Sequence, residues 1–337
     1  MKALVTGGGG FIGGAIVARL LERNDRVRVL GRRKYPELAK SGVEIVQGDI
    51  RNRQNVEDAC RGMDCVFHVA ALTGIWGPRD DFYQTNVVGT QNVISGCHTH
   101  GVRILVYTSS PSVVHDQRDQ INIDETTPYP KEYLCPYPET KAMAERMVLQ
   151  ANGSGNGQGH LLTTSLRPHL VWGPGDTNLI PRLLDRARKG KLMIVGNGTN
   201  KVDLTYVENV AEAHLLAADR LQSASASSSS VAGEAFFISQ GEPVLLWQWI
   251  DQFLKRMGIP GVKKSISLAT AYKVGQAMET FYRIFRLKRE PLMTRFLASQ
   301  LGTSHYFDIS KAKERLNYTP SVSMKEGMDR LVAYYSR

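Results

Sequence analysis

The first thirteen residues, MKALVTGGGGFIG, limit the fold more than any other part of the sequence. A short apolar run leads into Gly7, Gly10 and Gly13, which are separated by two residues each. Glycine permits a tight turn and lets the backbone approach a pyrophosphate, while the helix that follows supplies amide donors and a favourable dipole. Because the loop opens a pattern of alternating strands and helices, we interpret it as a dinucleotide site that includes Phe11 and Ile12.

The first half of the chain alternates short apolar runs with longer amphipathic stretches. The runs predicted as strands are KALVT, RVRVL, VEIVQ, CVFHVAA, RILVYTSS and LLTTSLRP. This alternation favours a Rossmann-like α/β fold, a doubly wound parallel sheet whose ligand lies at the carboxyl ends of the strands. The pattern loosens after Pro168, so we predict a dinucleotide-binding core over 1–170 and a smaller, mostly helical substrate cap over 171–337. Segments around 200–240 are expected to return to the core.

Composition narrows the class of protein. With 42% hydrophobic and 22% charged residues, the chain of 337 residues resembles an ordinary soluble globular protein. No signal peptide or membrane-spanning run is predicted, and a cytoplasmic location is expected, with peripheral contact at a membrane surface as an alternative. The four cysteines lack metal-ligand spacing, so reduced thiols and no metal site are expected. The net charge of +10 is scattered without a nucleic-acid motif, which argues against a nucleic-acid partner.

The residues after the second strand bear on the choice of nicotinamide cofactor. Many NAD enzymes carry an acidic residue there for the ribose 2′-hydroxyl, whereas NADP enzymes place a cation for the 2′-phosphate. The segment VRVLGRRKY has Gly31 in the acidic position, followed by Arg32 and Arg33, which favours NADP(H) over NAD(H). Solvated surface arginines are the alternative interpretation. After the third strand, Asp49 and Ile50 are predicted to contact the adenine, although Asp49 could simply form a turn.

A tyrosine and a lysine are the candidate catalytic pair. Tyr137 and Lys141 lie four positions apart in PYPETKAMAE, where the prolines and glutamate favour the start of a helix. A free phenol has a pKa of about 10 and shuttles protons poorly until a neighbouring cation, Lys141 or the oxidised nicotinamide, stabilises the phenolate. Ser110 ends the strand RILVYTSS and would hold the substrate oxygen, with Ser109 as its rival. The tyrosine–lysine spacing alone is common, and its order after the glycine loop and the serines makes it informative.

This order resembles the short-chain dehydrogenase/reductase superfamily throughout the chain. The extended branch is indicated by TGGGGFIG, TNVVGTQNV around Asn86, YTSS, YPETK and LRPHLVWGPGD. Within that branch, PYPETKAMAERMVL and the segment from RPHLVWGPGD to VENVAEAH are similar to the 3β-hydroxysteroid dehydrogenase group, including the sterol-4α-carboxylate 3-dehydrogenases. Details such as RRKYPEL, YTSSPSVVH and PLMTRFLASQL are closer to bacterial 2-alkyl-3-oxoalkanoate reductases of long-chain olefin synthesis. Sugar-nucleotide epimerases match less well.

The resemblance implies NADPH as cofactor and the roles given above for Ser110, Tyr137 and Lys141. It implies further that Asn86 supports the lysine, that the RPHLVWGPGD loop lies beneath the nicotinamide, and that the protein forms a homodimer. The remaining residues assigned to the cofactor site are Ala70, Ala71, Asn86, Ser109, Tyr137, Lys141 and Pro168. Partner enzymes of the same pathway are also expected. Because β-keto acids decarboxylate easily, such partners would pass the unstable intermediate along.

The substrate predicted from the resemblance is a lipid-like 2-alkyl-3-oxoalkanoate, reduced to the 3-hydroxy acid. A decarboxylating 3β-hydroxysteroid or sterol-carboxylate dehydrogenase is the second hypothesis, a UDP-sugar epimerase or dehydratase the third, and a non-catalytic NADP(H) sensor the fourth. The candidates for binding a substrate carboxylate are His169, Arg182 and Lys201, each of which could instead be structural. The apolar stretch 268–287 with its cationic end is predicted to be a packed cap helix, or alternatively a lid that touches lipid or a long-chain substrate.

Overall fold

The computed structural model describes residues 1–155, 159–223 and 231–336. Its strands in chain order are β1 (Lys2–Thr6), β2 (Arg26–Gly31), β3 (Glu44–Gln47), β4 (Cys65–His68), β5 (Ile104–Thr108), β6 (Gln120–Ile123), β7 (Leu162–Pro168), β8 (Val171–Trp172), β9 (Ile194–Val195), β10 (Lys201–Val202), β11 (Thr205–Tyr206), β12 (Glu234–Ile238), β13 (Val244–Leu245), β14 (Ser265–Ile266) and β15 (His305–Phe307).

The α-helices are α1 (Phe11–Glu22), α2 (Pro36–Lys40), α3 (Arg53–Cys60), α4 (Arg79–Phe82), α5 (Gly89–His100), α6 (Pro136–Gln150), α7 (Leu179–Arg188), α8 (Val207–Gln222), α9 (Leu246–Arg256), α10 (Leu268–Ile284), α11 (Arg295–Gly302) and α12 (Met324–Tyr335). Two π-helical turns, Tyr83–Val88 and Ala312–Leu316, and one 3₁₀ turn, Pro111–Val114, complete the helical elements of the described residues.

Seven strands form one parallel sheet in the order β3–β2–β1–β4–β5–β7–β12. Helices α1 and α8 cover one face of the sheet, and α3, α5 and α6 cover the other. The central strands β1, β4 and β5 are nearly continuous apolar runs because both faces of a parallel sheet are buried there, whereas the edge strand β3 is partly exposed. The predicted Rossmann-like, doubly wound fold is therefore confirmed.

The cap has a separate apolar core, built by residues that follow β7. Trp172 packs edge-on against Tyr206 and Trp249, with ring centroids 5.3 and 5.1 Å apart. Helices α7, α9, α10, α11 and α12 contribute to this core. Short strands are also present, including a four-stranded sheet in the order β13–β10–β15–β6.

Two elements within 200–240 lie against the core sheet. Strand β12 pairs in parallel with β7 at the edge of the sheet, and α8 packs on α1. The division of the chain near residue 170 stays a prediction, and 224–230 lie outside the described residues. Across the part of the chain that the structure describes, no helix is both long enough and apolar enough to traverse a membrane.

Candidate active site

The turn between β1 and α1 is shaped by its glycines. Gly7 has a φ of 71°, in the left-handed region where other residues are strained. The Gly10 amide donates to the Gly7 carbonyl oxygen over 2.9 Å, and a Cβ on Gly13 would lie only 2.3 Å from that oxygen. Helix α1 begins at Phe11, and the first amides of a helix, here including Ile12, have no intrahelical acceptor. The turn therefore fits the pyrophosphate of a dinucleotide.

An aromatic ring fills the space beside Gly31 at the end of β2. A Cβ on Gly31 would lie 2.7 Å from the Tyr35 ring, and a Cβ on Gly9 would lie 1.9 Å from it. An acidic side chain at position 31 could enter only if this ring moved away. Arg32 and Arg33 are exposed beside it. The Tyr35 ring thus occupies the space that an acidic side chain at position 31 would need. Nothing in the sequence indicates this contact.

Asp49 is held by a nearby arginine at the end of β3. The Arg51 guanidinium donates to both carboxylate oxygens over 2.7 to 3.1 Å, and the Arg51 amide donates to Oδ1 over 2.9 Å. These hydrogen bonds lower the pKa of Asp49. They match the turn-forming alternative, while the adenine contact stays a prediction. Ile50 is buried against Gly89, and a Cβ added at position 89 would lie 2.6 Å from the Ile50 side chain.

Tyr137 and Lys141 lie one turn apart at the start of α6. Burial raises the pKa of Tyr137 to about 12, and the Ser110 hydroxyl acts in the opposite direction by hydrogen bonding to the phenol. The Lys141 Nζ donates to the Thr108 carbonyl oxygen over 2.6 Å and lies 4.1 Å from the centre of the Tyr107 ring. Burial lowers the pKa of Lys141 to about 7. The Lys141 ammonium is thus directed at the end of β5.

The two serines after β5 have different surroundings. The Ser110 hydroxyl oxygen accepts from the Ser112 amide over 3.2 Å and lies 2.9 Å from the Ser112 hydroxyl. Ser109 is buried, and its hydroxyl has no hydrogen-bond partner among the described residues. Only Ser110 of the pair influences the Tyr137 phenol. This placement supports Ser110 over Ser109 as the residue that would hold the substrate oxygen.

A buried chain of hydrogen bonds links β1 to the π-helical turn Tyr83–Val88. The Thr6 hydroxyl oxygen accepts from two backbone amides after β4, so its proton is directed at His68 Nδ1, 2.8 Å away. His68 Nε2 then donates to the Thr90 hydroxyl over 2.9 Å, and Thr90 donates to the Asn86 carbonyl oxygen over 2.6 Å. Burial and the charge of Lys141 lower the pKa of His68 to about 3, which keeps the ring neutral. In the sequence, only the histidine within the apolar run CVFHVAA indicates that such a series of hydrogen bonds exists.

The Asn86 side chain fixes the loop that contains Ala70 and Ala71. Its Oδ1 accepts from the Leu72 amide over 2.7 Å, and its Nδ2 donates to the Leu72 carbonyl oxygen over 3.0 Å. The same nitrogen donates to the Thr140 hydroxyl over 3.0 Å. These contacts reach Thr140, the residue before Lys141. The support that Asn86 is expected to give Lys141 would therefore act through the backbone of α6. π-Helical turns of this kind are frequent at functional sites.

One turn beyond Lys141, an ion pair is buried in the interior. Arg167 on β7 donates to both carboxylate oxygens of Glu145, with a shortest distance of 2.7 Å. Tyr129 and Ser165 donate to the same carboxylate over 2.6 and 2.8 Å. Burial alone would raise the pKa of Glu145, but the Arg167 charge outweighs it and keeps the pKa below its usual value. The resulting carboxylate raises the pKa of Lys141 and opposes the effect of burial.

The three residues predicted to bind a substrate carboxylate differ in their contacts in the structure. His169 Nε2 lies 2.7 Å from Nδ1 of His305, and burial lowers the pKa of both rings. Arg182 forms an ion pair with Glu290. Lys201 is an exposed residue of β10. These contacts favour the structural alternative for His169 and Arg182, and no feature of the sequence distinguishes the three residues.

A cavity of about 500 Å³ reaches the start of α6 from the surface of the cap. It lies between the segment 75–79 and the end of α10, and Cys135 and Pro136 line it next to Tyr137. Four cations also line it, namely Arg79, Arg283, Arg286 and Lys288. Sequence reasoning missed this cavity because its walls come from three distant parts of the chain.

Comparison with known proteins adds to this geometry. Residues 4–270 match the 3-beta hydroxysteroid dehydrogenase/isomerase family. A 2-alkyl-3-oxoalkanoate reductase of Stenotrophomonas maltophilia is 46% identical over 336 residues, which cover 99% of this chain and 99% of that protein. A decarboxylating sterol-4-alpha-carboxylate 3-dehydrogenase of Mus musculus is 36% identical and covers 98% of this chain and 90% of its own length. The solved structure of MoeE5 in complex with UDP-glucose and NAD has a TM-score of 0.75 and 26% identity, with 100% of this chain and 99% of that chain covered. The resemblance inferred from the motifs is confirmed.

Proposed function

This chain belongs to the 3-beta hydroxysteroid dehydrogenase/isomerase family, and from that premise we propose that it reduces a 2-alkyl-3-oxoalkanoate to the 3-hydroxy acid with NADPH. It is an NAD(P)-dependent oxidoreductase of the extended short-chain dehydrogenase/reductase type. The observation that carries the choice of substrate is the 46% identity, over 99% of both chains, with a relative named for that reaction.

The chemistry needs a proton donor at the oxygen of C3. NADPH, when bound, supplies a hydride to that carbon. Tyr137 donates the phenolic proton to the oxygen, and its pKa of about 12 keeps the proton in place at neutral pH until the carbonyl becomes more basic. The Ser110 hydroxyl donates a hydrogen bond to the same oxygen and orients it. Lys141, when protonated, stabilises the phenolate that remains.

The residues proposed to hold the cofactor lie along the carboxyl edge of the sheet. The turn at Gly7–Gly13 binds the pyrophosphate, and Arg32 and Arg33 bind the 2′-phosphate that distinguishes NADPH from NADH. The loop at Ala70–Ala71 and Pro168 at the end of β7 flank the nicotinamide half. The Tyr35 ring beside Gly31 supports this preference, because it occupies space that an acid for the ribose hydroxyl would need.

Removing the two arginines tests the cofactor preference. We expect Arg32→Ala/Arg33→Ala to raise KM for NADPH by about 10–100-fold, since hydrogen bonds to a charged group contribute about 1.5–3 kcal/mol. KM for NADH should change little, because that cofactor lacks the phosphate. Steady-state kinetics with both cofactors measure the difference, with Arg53→Ala on α3 as a matched surface control. An equal loss with both cofactors would contradict the assignment.

Turnover of defined substrates tests the reaction itself. With NADPH, we expect a freshly prepared 2-alkyl-3-oxoacid to be converted to a 3-hydroxy acid that retains its carboxylate, as judged by mass spectrometry. Prompt reduction would preserve a group that β-keto acids otherwise lose as carbon dioxide. An oxoacid left untouched, while a sterol 4α-carboxylate is oxidised with NADP⁺ or NAD⁺, would overturn the proposal.

The decarboxylating sterol dehydrogenase remains the second candidate. It is favoured by the 36% identity with the Mus musculus relative over most of both chains. Both substrates share a C3 oxygen beside a carbon that bears a carboxylate, so Ser110, Tyr137 and Lys141 could serve either. A homodimer, a cytoplasmic location and association with enzymes of the same pathway stay predictions.

A further inference from the structure

Exposed apolar side chains are concentrated in one part of the cap. Of eight large hydrophobic residues that are exposed among the described residues, six lie between positions 274 and 292. They are Val274, Phe281, Ile284, Phe285, Leu287 and Leu292. Single exposed apolar residues are normal on a protein surface, whereas a contiguous group of this kind marks an interaction site. We call these six residues and the cations among them the α10 patch.

The helix presents the apolar residues of the patch along one side. Positions 274, 281, 284 and 285 follow helical spacing, and the rings of Phe281 and Phe285 are in contact with centroids 4.5 Å apart. Ile284 and Phe285 at the end of α10 are 69% and 60% exposed, so they contribute little to the cap core. This stripe lies on a different face of the helix from Ala271, Gly275 and Glu279, which are the buried residues of α10.

The charge around the patch has a single sign. Positions 280–289 read TFYRIFRLKR, which contains four cations and no acidic residue. Arg283, Arg286, Lys288 and Arg289 are all exposed. The next acidic residue, Glu290, already forms an ion pair with Arg182. Large apolar side chains surrounded by arginine and lysine match an anionic lipid surface, which takes up the apolar groups at the headgroup level and attracts the cations.

The patch is held in place by polar contacts to neighbouring elements. Glu279, 3% exposed, accepts from the Arg295 guanidinium over 2.8 Å and from the Arg295 amide over 2.7 Å. Trp76 Nε1 donates to the Leu287 carbonyl oxygen over 3.2 Å, and Arg186 donates to the Leu292 carbonyl oxygen over 3.1 Å. The surface is thus preformed, and docking does not require the segment to fold.

The patch adjoins the cavity that leads to the catalytic helix. Arg283, Arg286, Leu287 and Lys288 belong to both, and the cavity is also lined by Cys135 and Pro136, which immediately precede Tyr137 in the chain. We propose that the α10 patch docks the protein on anionic lipid bilayers, with the mouth of this cavity at the lipid surface. The inference stands on exposure, charge and continuity with the cavity, and it does not depend on which oxoacid or sterol is the substrate.

Vesicle binding tests the proposal directly. We expect the full-length protein to co-sediment with phosphatidylcholine vesicles that contain phosphatidylglycerol, and to do so less as the salt concentration rises. Ile284→Ser/Phe285→Ser should weaken this binding at least tenfold, and so should Arg286→Gln/Arg289→Gln, since each cation near an anionic surface adds to the affinity. Ile121→Ser is the matched control, because Ile121 is 56% exposed on β6, outside the patch, and should bind as the wild type does.

Other outcomes would overturn the proposal. Binding that is absent, or equal with and without phosphatidylglycerol, would remove the lipid assignment. A wild-type dimer that Ile284→Ser/Phe285→Ser converts to monomer would show instead that a second copy of the chain covers the patch. Circular dichroism and turnover of a short, soluble oxoacid check that this variant is folded. Vesicle binding without any oxoacid turnover would contradict only the proposed function.

Discussion

Replacement of Tyr137 by phenylalanine is expected to lower kcat for carbonyl reduction by about 10²–10⁴-fold, the usual contribution of a positioned proton donor. In the proposed catalytic set, the phenol is the group that passes its proton to the C3 oxygen. With a pKa of about 12, the wild-type phenol holds that proton throughout the neutral range. Phenylalanine has no proton to give, so a change of pH should not restore the variant. Steady-state oxidation of NADPH with a saturating 2-alkyl-3-oxoacid measures the loss.

A neighbouring tyrosine provides the control. Tyr133 donates to the Val113 carbonyl oxygen over 3.0 Å and lies just before α6. Tyr133→Phe removes one phenolic oxygen from the same region and should leave kcat near the wild-type value. NADPH binding, followed by fluorescence, should persist in Tyr137→Phe. Turnover in that variant at the wild-type rate would show that another group donates the proton.

The main sheet was predictable because each of its strands carries a local signal. All six runs that we interpreted as strands correspond to strands of the parallel sheet, namely β1, β2, β3, β4, β5 and β7. A strand buried on both faces, such as β4 or β5, is apolar along most of its length, which makes it recognisable in the sequence. The seventh strand, β12, lay in a region expected to return to the core. The helix bearing Tyr137 was likewise indicated by the prolines and the glutamate at its start.

Contacts between distant residues were not predictable in the same way. Tyr35 fills the space beside Gly31 because the chain reverses between them, and nothing in VRVLGRRKY reveals that turn. The hydrogen bond from Thr6 to His68 joins residues 62 positions apart. Polar residues in apolar runs indicated that partners must exist, since buried polar groups are hydrogen-bonded, but could not say which partners.

Lys141 has contacts in the structure that the sequence does not indicate. Its charge is proposed to act on the Tyr137 phenol, its Nζ also donates to the Thr108 carbonyl oxygen, and burial brings its pKa to about 7. The Lys141 amine is therefore only partly protonated at neutral pH. Reduction requires the cationic form to stabilise the phenolate, so kcat/KM should fall as the pH rises through the pKa of Lys141. The position of that fall depends on Glu145, which raises the pKa of Lys141.

Substitution of Glu145 should therefore affect both stability and the pH profile. In Glu145→Gln the buried Arg167 loses its carboxylate partner, and breaking such a pair costs about 3–5 kcal/mol. For a chain of this length, that corresponds to a fall in Tm of roughly 4–7 °C. The pKa of Lys141 should decrease further, because burial is then unopposed by a negative charge. We expect the alkaline fall of kcat/KM to move to lower pH.

The partner variant separates these two effects. Arg167→Met should destabilise the fold to a similar degree, because it leaves the Glu145 carboxylate buried without its cation. While that carboxylate stays ionised, its charge is no longer neutralised, so the pKa of Lys141 should rise and the fall of kcat/KM should move to higher pH. Glu145→Gln/Arg167→Met should lose less stability than the sum of the single variants, as expected for residues in direct contact. Calorimetry and pH–rate profiles of the three variants measure these effects. Shifts of the profile in the same direction for both single variants would mean that the ion pair acts on Lys141 through packing, because a charge effect must change sign between them.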